Sequence, residues 1–423
     1  MRKIHRWALI TIVTILISFP APSSAYSVLT HEAIIDVVWD ANIRPLLLKR
    51  FPNSTSEDLL RAHAYAYGGS IIQDLGYYPY GNKFFSDLTH YFRSGDFIAS
   101  LLQNAQDLNE YAFAVGALAH YAADNSGHRL ATNLAVPLLY PELKRKFGQV
   151  VTYEDNPLAH IKTEFSFDVL QVAKGHYAPD SYHNFVGFEV ALPLLERSFQ
   201  ETYGIDLKSV FHDEKRAASS YRHSINGLIP QATRVAWDLK QKDIERDVPG
   251  ITRDKFLYNL SRSSYEKEWG EDYRRPSTGE KCLAFLIRIL PKIGPLRILM
   301  FRAPSPEAEK LFENSFNVTV DRYRYLLSAL GSGHLELPND NFDVGKVTAR
   351  GTYKLNDATC AELLQRLSKQ HMAGVNLELK TRLLEFYAAT QYSAKKPEKS
   401  TAKLQQEIQE LKGAAVSSWR SSI

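Results

Sequence analysis

Cysteine is almost absent from this 423-residue chain, in which Cys282 and Cys360 are the only two. That excludes a disulfide-dense scaffold and leaves room for one internal disulfide at most, without saying whether the two pair. A charge excess is missing too. Lys and Arg total 51 against 47 Asp and Glu, a net +4. Three of the positive charges (Arg2, Lys3, Arg6) sit in a leader-like segment, so the remainder is close to neutral. The concentrated basic footprint that nucleic acid demands is therefore lacking, and a nucleic-acid partner is not favoured. Beyond the leader no stretch reaches 18 consecutive apolar residues, so the rest of the chain is expected not to span a bilayer. Internal repeats are absent. What remains is 44% hydrophobic and 23% charged, a globular balance that excludes a mainly disordered or collagen-like chain. The length accommodates two to three domains of roughly 150 residues each.

The first residues read as a secretory signal. Arg2, Lys3 and Arg6 precede an uncharged, mainly apolar run from Ala8 to Phe19, followed by Pro20, Pro22 and Ser23-Ser24-Ala25. The run is shorter than the ~20 residues that cross a bilayer, and Ser-x-Ala is an acceptable cleavage site. Cleavage after Ala25, giving residues 1–25 as signal peptide, makes Tyr26 the mature N-terminus and the protein secreted or periplasmic.

Residues 26–245 read as one helical domain. Apolar residues recur at spacings of three and four in His31 to Leu48, Asp107 to Asp124, Ile161 to Val172 and Val186 to Phe199, and strand-like alternation is scarce. Residues 246–394 form an extension whose role the sequence leaves open. Within it, Cys282 to Phe301 is apolar but carries Arg288, Lys292 and Arg297 and is interrupted by Pro291 and Pro295. It reads as two short helices, either a buried hairpin or a peripheral membrane contact with snorkelling cations. Asp340 to Lys354 has β-like residues around Gly345 and Gly351, and Asn356 is placed to cap a helix through about Lys369. Residues 395–423 read as a mobile tail with one weak helix. The expected fold class is mainly α: a helical bundle with a mostly helical extension containing a small α+β part. Oligomeric state is not legible.

Thirteen histidines are present, and five of them form a pattern within residues 31–164. The densest piece is HYAADNSGH, His120 to His128. Residues four apart share one face of a helix, so His120, Asp124 and His128 form a stripe. Imidazole and carboxylate are standard zinc ligands. The same spacing returns at His160 and Glu164, and His31, Asp74 and His90 lie upstream at the ends of helical patterns. A single His-x-x-x-Asp is ordinarily a solvated pair or a hydrogen-bonded core histidine. Here the stripe follows Ala112-Phe113-Ala114-Val115-Gly116-Ala117-Leu118-Ala119, a small, apolar run that predicts deep burial. Charged groups at its end are then expensive unless paired or metal-bound.

The order and spacing of these residues resemble the zinc-dependent phospholipase C family, which shares a trinuclear helical fold with single-strand-specific zinc nucleases. The resemblance covers roughly Tyr26 to Lys242. It implies three zinc ions. Asp74, His90, His120 and Asp124 would hold one of a close pair, and Tyr26 (through its amine and carbonyl), His31 and Asp124 the other. His128, His160 and Glu164 would hold the third, with Asp124 bridging two ions. Family members commonly have Trp where Tyr26 stands, but a backbone chelate does not depend on the side chain. The four-residue step from Asp124 to His128 is similar to the corresponding domain of glycosylphosphatidylinositol-specific phospholipase D, which favours a lipid-type phosphodiester.

The activity so implied is hydrolysis of a phospholipid headgroup ester by a metal-activated water, with Asp74 orienting the water or accepting its proton. Asp87 would either hydrogen-bond a ligand imidazole or face solvent. Two other readings are open: a nuclease or nucleotidase on the same core, with Tyr77, Tyr78, Tyr80 and Phe84 stacking bases, and a non-catalytic exported protein that binds metal or lipid.

Overall fold

Small side chains explain why one helix can occupy the centre. Ala112, Ala114, Gly116, Ala117 and Ala119 keep the segment narrow on every face, so neighbouring helices approach from all sides. The structure is a computed structural model describing residues 27–176, 187–224, 229–252, 294–388 and 399–416. In it this segment is the helix Leu108–Gly127, buried without a break from Tyr111 to Gly127. Asp107 opens it by accepting the Glu110 N–H at 2.9 Å, a standard N-cap. Helix Ser56–Gly69, started by a Thr55–Asp58 capping box, crosses it at very close range. A Cβ on Gly116 would stand 2.0 Å from the Ala66 carbonyl oxygen, and one on Gly69 2.0 Å from that of Phe113. Only glycine fits at both points.

The chain enters through helix Val28–Val38, which runs by a wide turn at Trp39–Ile43 into Arg44–Arg50. Pro45, with no N–H to give, breaks the regular hydrogen-bond ladder there. Asp168 on helix Pro157–Lys174 pins the start, accepting from Leu29 N–H (3.0 Å) and the Thr30 hydroxyl (2.6 Å). Asp36 ties this helix to the crossing one, accepting from the Tyr67 hydroxyl and lying 3.2 Å from His63 Nε2.

The far end of the sequence closes the same core. Helix Pro306–Ser332, capped by Ser305 and ended by Gly333 at φ 77, lies on the central helix, where the Tyr323 hydroxyl donates to the Val115 carbonyl at 2.9 Å. The chain then crosses helix Ser94–Asn104, whose Ser94 hydroxyl donates to the Asp340 carbonyl (2.5 Å) and whose Asp96 N–H donates to Asn339 (2.9 Å). Helices Lys354–Lys369, Leu377–Ala388 and Lys399–Gly413 follow. Buried apolar residues from Val28 to Leu411 belong to one contiguous cluster.

The architecture is mainly α, as expected. The β-like reading of residues 340–354 reduces to a single antiparallel bridge, Asn341 to Lys346. Asn341 Oδ1 takes the N–H groups of Asp343 (3.0 Å) and Val344 (3.3 Å), folding the backbone into a turn where a strand would leave them extended. The helix expected to be capped by Asn356 is preceded instead by Tyr353 and starts three residues earlier than expected, at Lys354. Residues 399–413, read as a weak helix in a mobile tail, dock instead, with Leu411 fully buried. Of residues 282–301 only 294 onward are described. They form a short 3-10 helix, Gly294–Met300, followed by buried Phe301, whose ring is 5.5 Å from that of Phe165. The signal segment, Tyr26 and Cys282 lie outside the described residues. Among those described, no helix is long and apolar enough to cross a membrane.

Candidate metal centre

The i, i+4 stripe of the central helix places His120, Asp124 and His128 side by side at its C-terminal end. The helix does not stop there but widens into a π turn, His128–Thr132, a distortion that recurs at functional sites. Asp124 is the hub. Its Oδ1 lies 3.5 Å from His31 Nε2; its Oδ2 lies 3.2 Å from His120 Nε2, 3.3 Å from His90 Nε2 and 3.6 Å from His128 Nε2. One carboxylate thus faces four imidazoles contributed by three helices.

Backbone carbonyls orient two of those rings. His90 Nδ1 is 2.7 Å from the Ser86 carbonyl and His120 Nδ1 is 2.9 Å from the Ser70 carbonyl. A carbonyl can only accept, so Nδ1 carries a proton and Nε2 is the nitrogen turned inward. Asp74, on the tight turn Ile72–Tyr77, puts Oδ1 3.4 Å from His90 Nε2. His31 stacks on His120. Donor atoms of His31, His120 and Asp124 lie within 4.8 Å of one another, as do those of Asp74, His90 and His120. The shared His120 makes these two groups adjacent.

A third group gathers His128, His160 and Asp343 within the same 4.8 Å. Helix Pro157–Lys174 supplies His160, whose ring stacks on His128 at 4.9 Å between centroids. Glu164 lies one turn on and accepts from His160 Nδ1 at 2.7 Å, so the structure places it behind the ring. Asp343, in the turn after Asp340, faces the other side: Oδ1 is 3.3 Å from His128 Nδ1 and 3.8 Å from His160 Nε2. Asn133 Oδ1 also approaches His160 Nε2, at 2.7 Å. Sequence reasoning missed Asp343, which no helical spacing marks. Asp87 faces neither a ligand imidazole nor open solvent alone; it pairs with Lys83 at 2.6 Å.

No member of the constellation is more than 3% exposed. Burial is the largest influence on His31 and, with His120 beside it, holds that imidazole down at about 3. Burial likewise lowers His160 to about 4. Burial works against the charged form of His90, yet Asp124 and Asp74 outweigh it and raise the ring to about 10. For Asp124 burial pushes upward, and the imidazoles of His120, His128 and His90 reverse this, leaving the carboxyl well below its usual range. The pocket therefore calls for positive charge. Both oxygens of Asp124, Nδ1 of His128 and Oδ1 of Asp343 are buried and make no hydrogen bond, a costly arrangement for polar atoms without another ligand. Nitrogen and carboxylate donors clustered in this way suit zinc.

Residues 30–213 match the family model for zinc dependent phospholipase C. Over this stretch, somewhat less than half of its length, the chain is similar to the zinc dependent phospholipase C family. No curated protein and no solved structure matches the chain. The match, with the clustered His and Asp donors, supports zinc dependence and, in general terms, phosphodiester hydrolysis. It spans eight residues of the constellation, from His31 to Glu164; Asp343 falls beyond the matched residues.

Proposed function

We propose that the chain, with its signal removed after Ala25, is an exported phospholipase C-type enzyme that cleaves the phosphodiester of a phospholipid headgroup using three zinc ions. The observation that carries this reading is the hub carboxylate: Asp124 turns Oδ1 to His31 and Oδ2 to His90 and His120, the disposition of a ligand shared by two adjacent cations. Tyr26 would join His31 through its free amine. Zinc bound there supplies Lewis acidity toward the phosphoryl oxygens and brings the pKa of water toward neutrality.

The protein's own groups do the rest. Asp74, at the paired groups, orients the attacking water and takes up its proton. Ser86 and Ser70 fix the rings of His90 and His120, so the donors need no rearrangement as charge develops. Tyr77, 6.2 Å from His90, Phe342, 5.3 Å from His90, and Tyr153, 5.8 Å from His160 between ring centroids, keep bulk water from the donors. A lipid substrate is favoured over a nucleic acid by the short Asp124–His128 step and by the near-neutral charge. Of the aromatics proposed to stack bases, Tyr77, Tyr78 and Phe84 are buried, and exposed Tyr80 is covered by the Arg216 guanidinium 4.0 Å above its ring.

The test is incubation of the mature protein with phosphatidylcholine, phosphatidylinositol and single-stranded DNA, each with and without a chelator, together with N-terminal sequencing. Release of phosphorylated headgroup that chelation abolishes is expected, from a chain beginning at Tyr26. Nucleotide release alone would move the assignment to the nuclease reading, and liposome binding without product would move it to the non-catalytic one.

A further inference from the structure

We infer that Asp343, contributed from outside the family-matched residues, is a direct ligand of the third metal group, and that Glu164 positions His160 without touching the ion. The inference rests on the trinuclear reading above and changes who completes it. Asp343 is a buried carboxylate divided in function. Its Oδ2 accepts two hydrogen bonds, from the Tyr353 hydroxyl at 2.6 Å and the Tyr153 N–H at 2.9 Å. Its Oδ1 accepts none and points at His128 Nδ1, itself buried and without a hydrogen bond, 3.3 Å away.

An anchoring role for Asp343 accounts for Oδ2 but leaves Oδ1 unexplained, because a buried anionic oxygen that accepts no hydrogen bond is expensive. A cation between Oδ1, His128 Nδ1 and His160 Nε2 accounts for both. The carboxylate is also immobilised as a ligand needs to be. The Asp343 carbonyl accepts from Asn133 Nδ2 at 2.7 Å and its N–H donates to Asn341 Oδ1 at 3.0 Å.

Glu164 meets the opposite nitrogen. With a cation on Nε2 the ring proton sits on Nδ1, where Glu164 Oε1, 2.7 Å away, accepts it, the usual carboxylate–histidine–metal relay. Asn133 Oδ1, 2.7 Å from Nε2, is the contact a cation has to share. The segment after helix Pro306–Ser332 is then part of the metal centre.

Zinc per chain, measured by elemental analysis on zinc-loaded, gel-filtered full-length mature protein, tests this without any substrate. Three equivalents are expected for the wild type and two for Asp343→Asn. In that variant the hydrogen bonds from Tyr353 and Tyr153 hold the amide oxygen and turn its NH2 toward the imidazoles. Glu164→Gln is expected to keep three. Three equivalents in folded Asp343→Asn, or loss of one only in Glu164→Gln, would overturn the inference while leaving the proposed function standing; a wild type without zinc would reject both. Should Asp343→Asn fail to fold, Tyr353→Phe serves. Its third equivalent should leave at roughly 10–100-fold lower chelator concentration, and a titration identical to wild type would count against Asp343.

Discussion

His31 stacks face to face on His120, ring centroids 4.6 Å apart and planes 7° from parallel. Burial, with His120 beside it, holds His31 down at about 3, so that imidazole stays a neutral donor. Beside them lie Asp124 and Asp74, both buried. The folded chain therefore holds a set of groups whose desolvation bound cations would offset. Stripping the metal should lower the melting temperature by at least about 5 °C, since each site saturated ~1,000-fold above its Kd adds about 4 kcal/mol. Re-addition of zinc should restore it. Calorimetry with and without chelator checks this, and superimposable melts would refute it.

Asp124→Asn keeps the size of the hub and removes its charge. An amide has one acceptor oxygen, so it cannot face His31 on one side and His90 and His120 on the other with equal donors. Loss of groups that merely support metal ligands costs ~10–100-fold, so loss of the hub should cut phosphodiester turnover by more than about 100-fold. Turnover on a phospholipid headgroup, compared at matched protein folding by circular dichroism, gives the measurement. Full activity in the variant would remove Asp124 from the centre.

Two stripes of the candidate site could be read before the fold because their spacing is local, whereas His31, Asp74 and His90 came only from the family resemblance. His120, Asp124 and His128 sit one turn apart on a helix whose small residues announce burial, and His160 and Glu164 repeat the step. Asp343 could not be read so: it reaches His128 only by tertiary packing of the helix Pro306–Ser332, and its own turn has no periodicity. The helix expected through Leu48 was legible except at Trp39–Ile43, where Pro45 withdraws a backbone donor. The docked C-terminal helix was obscured by its many Lys and Gln residues. Its apolar Leu404, Ile408 and Leu411 still recur at helical steps, and all three pack on the core.

The crossing of the two inner helices gives a stability prediction with a sign that propensity alone gets wrong. Alanine is favoured over glycine in a helix by about 1 kcal/mol, yet a Cβ on Gly116 would stand 2.0 Å from a backbone oxygen of Ala66. Backbone cannot swing away as a flexible side chain can, so the helices must part. Gly116→Ala should destabilise by about 1–3 kcal/mol. Gly413→Ala, at the end of the last helix with nothing within 4 Å, should be neutral or slightly stabilising. Urea unfolding of the pair checks the contrast; equal effects would contradict the close crossing.

Phe342 covers the paired groups. Its ring is 5.3 Å from His90 and 6.1 Å from His120, and its N–H donates to the His90 carbonyl at 3.0 Å. A chelator approaching from this side must displace that turn. Phe342→Ala removes the ring and loosens its seat, at a typical cost of about 3–5 kcal/mol for a buried aromatic, and should speed metal extraction at least about tenfold in the folded protein. Phe312→Ala, which deletes a similarly buried ring stacked on Phe167 away from the centre, should destabilise comparably without that acceleration. Stopped-flow release into a zinc-sensitive dye separates the two. Equal extraction rates in both variants would mean that metal leaves by general unfolding and that Phe342 is no barrier.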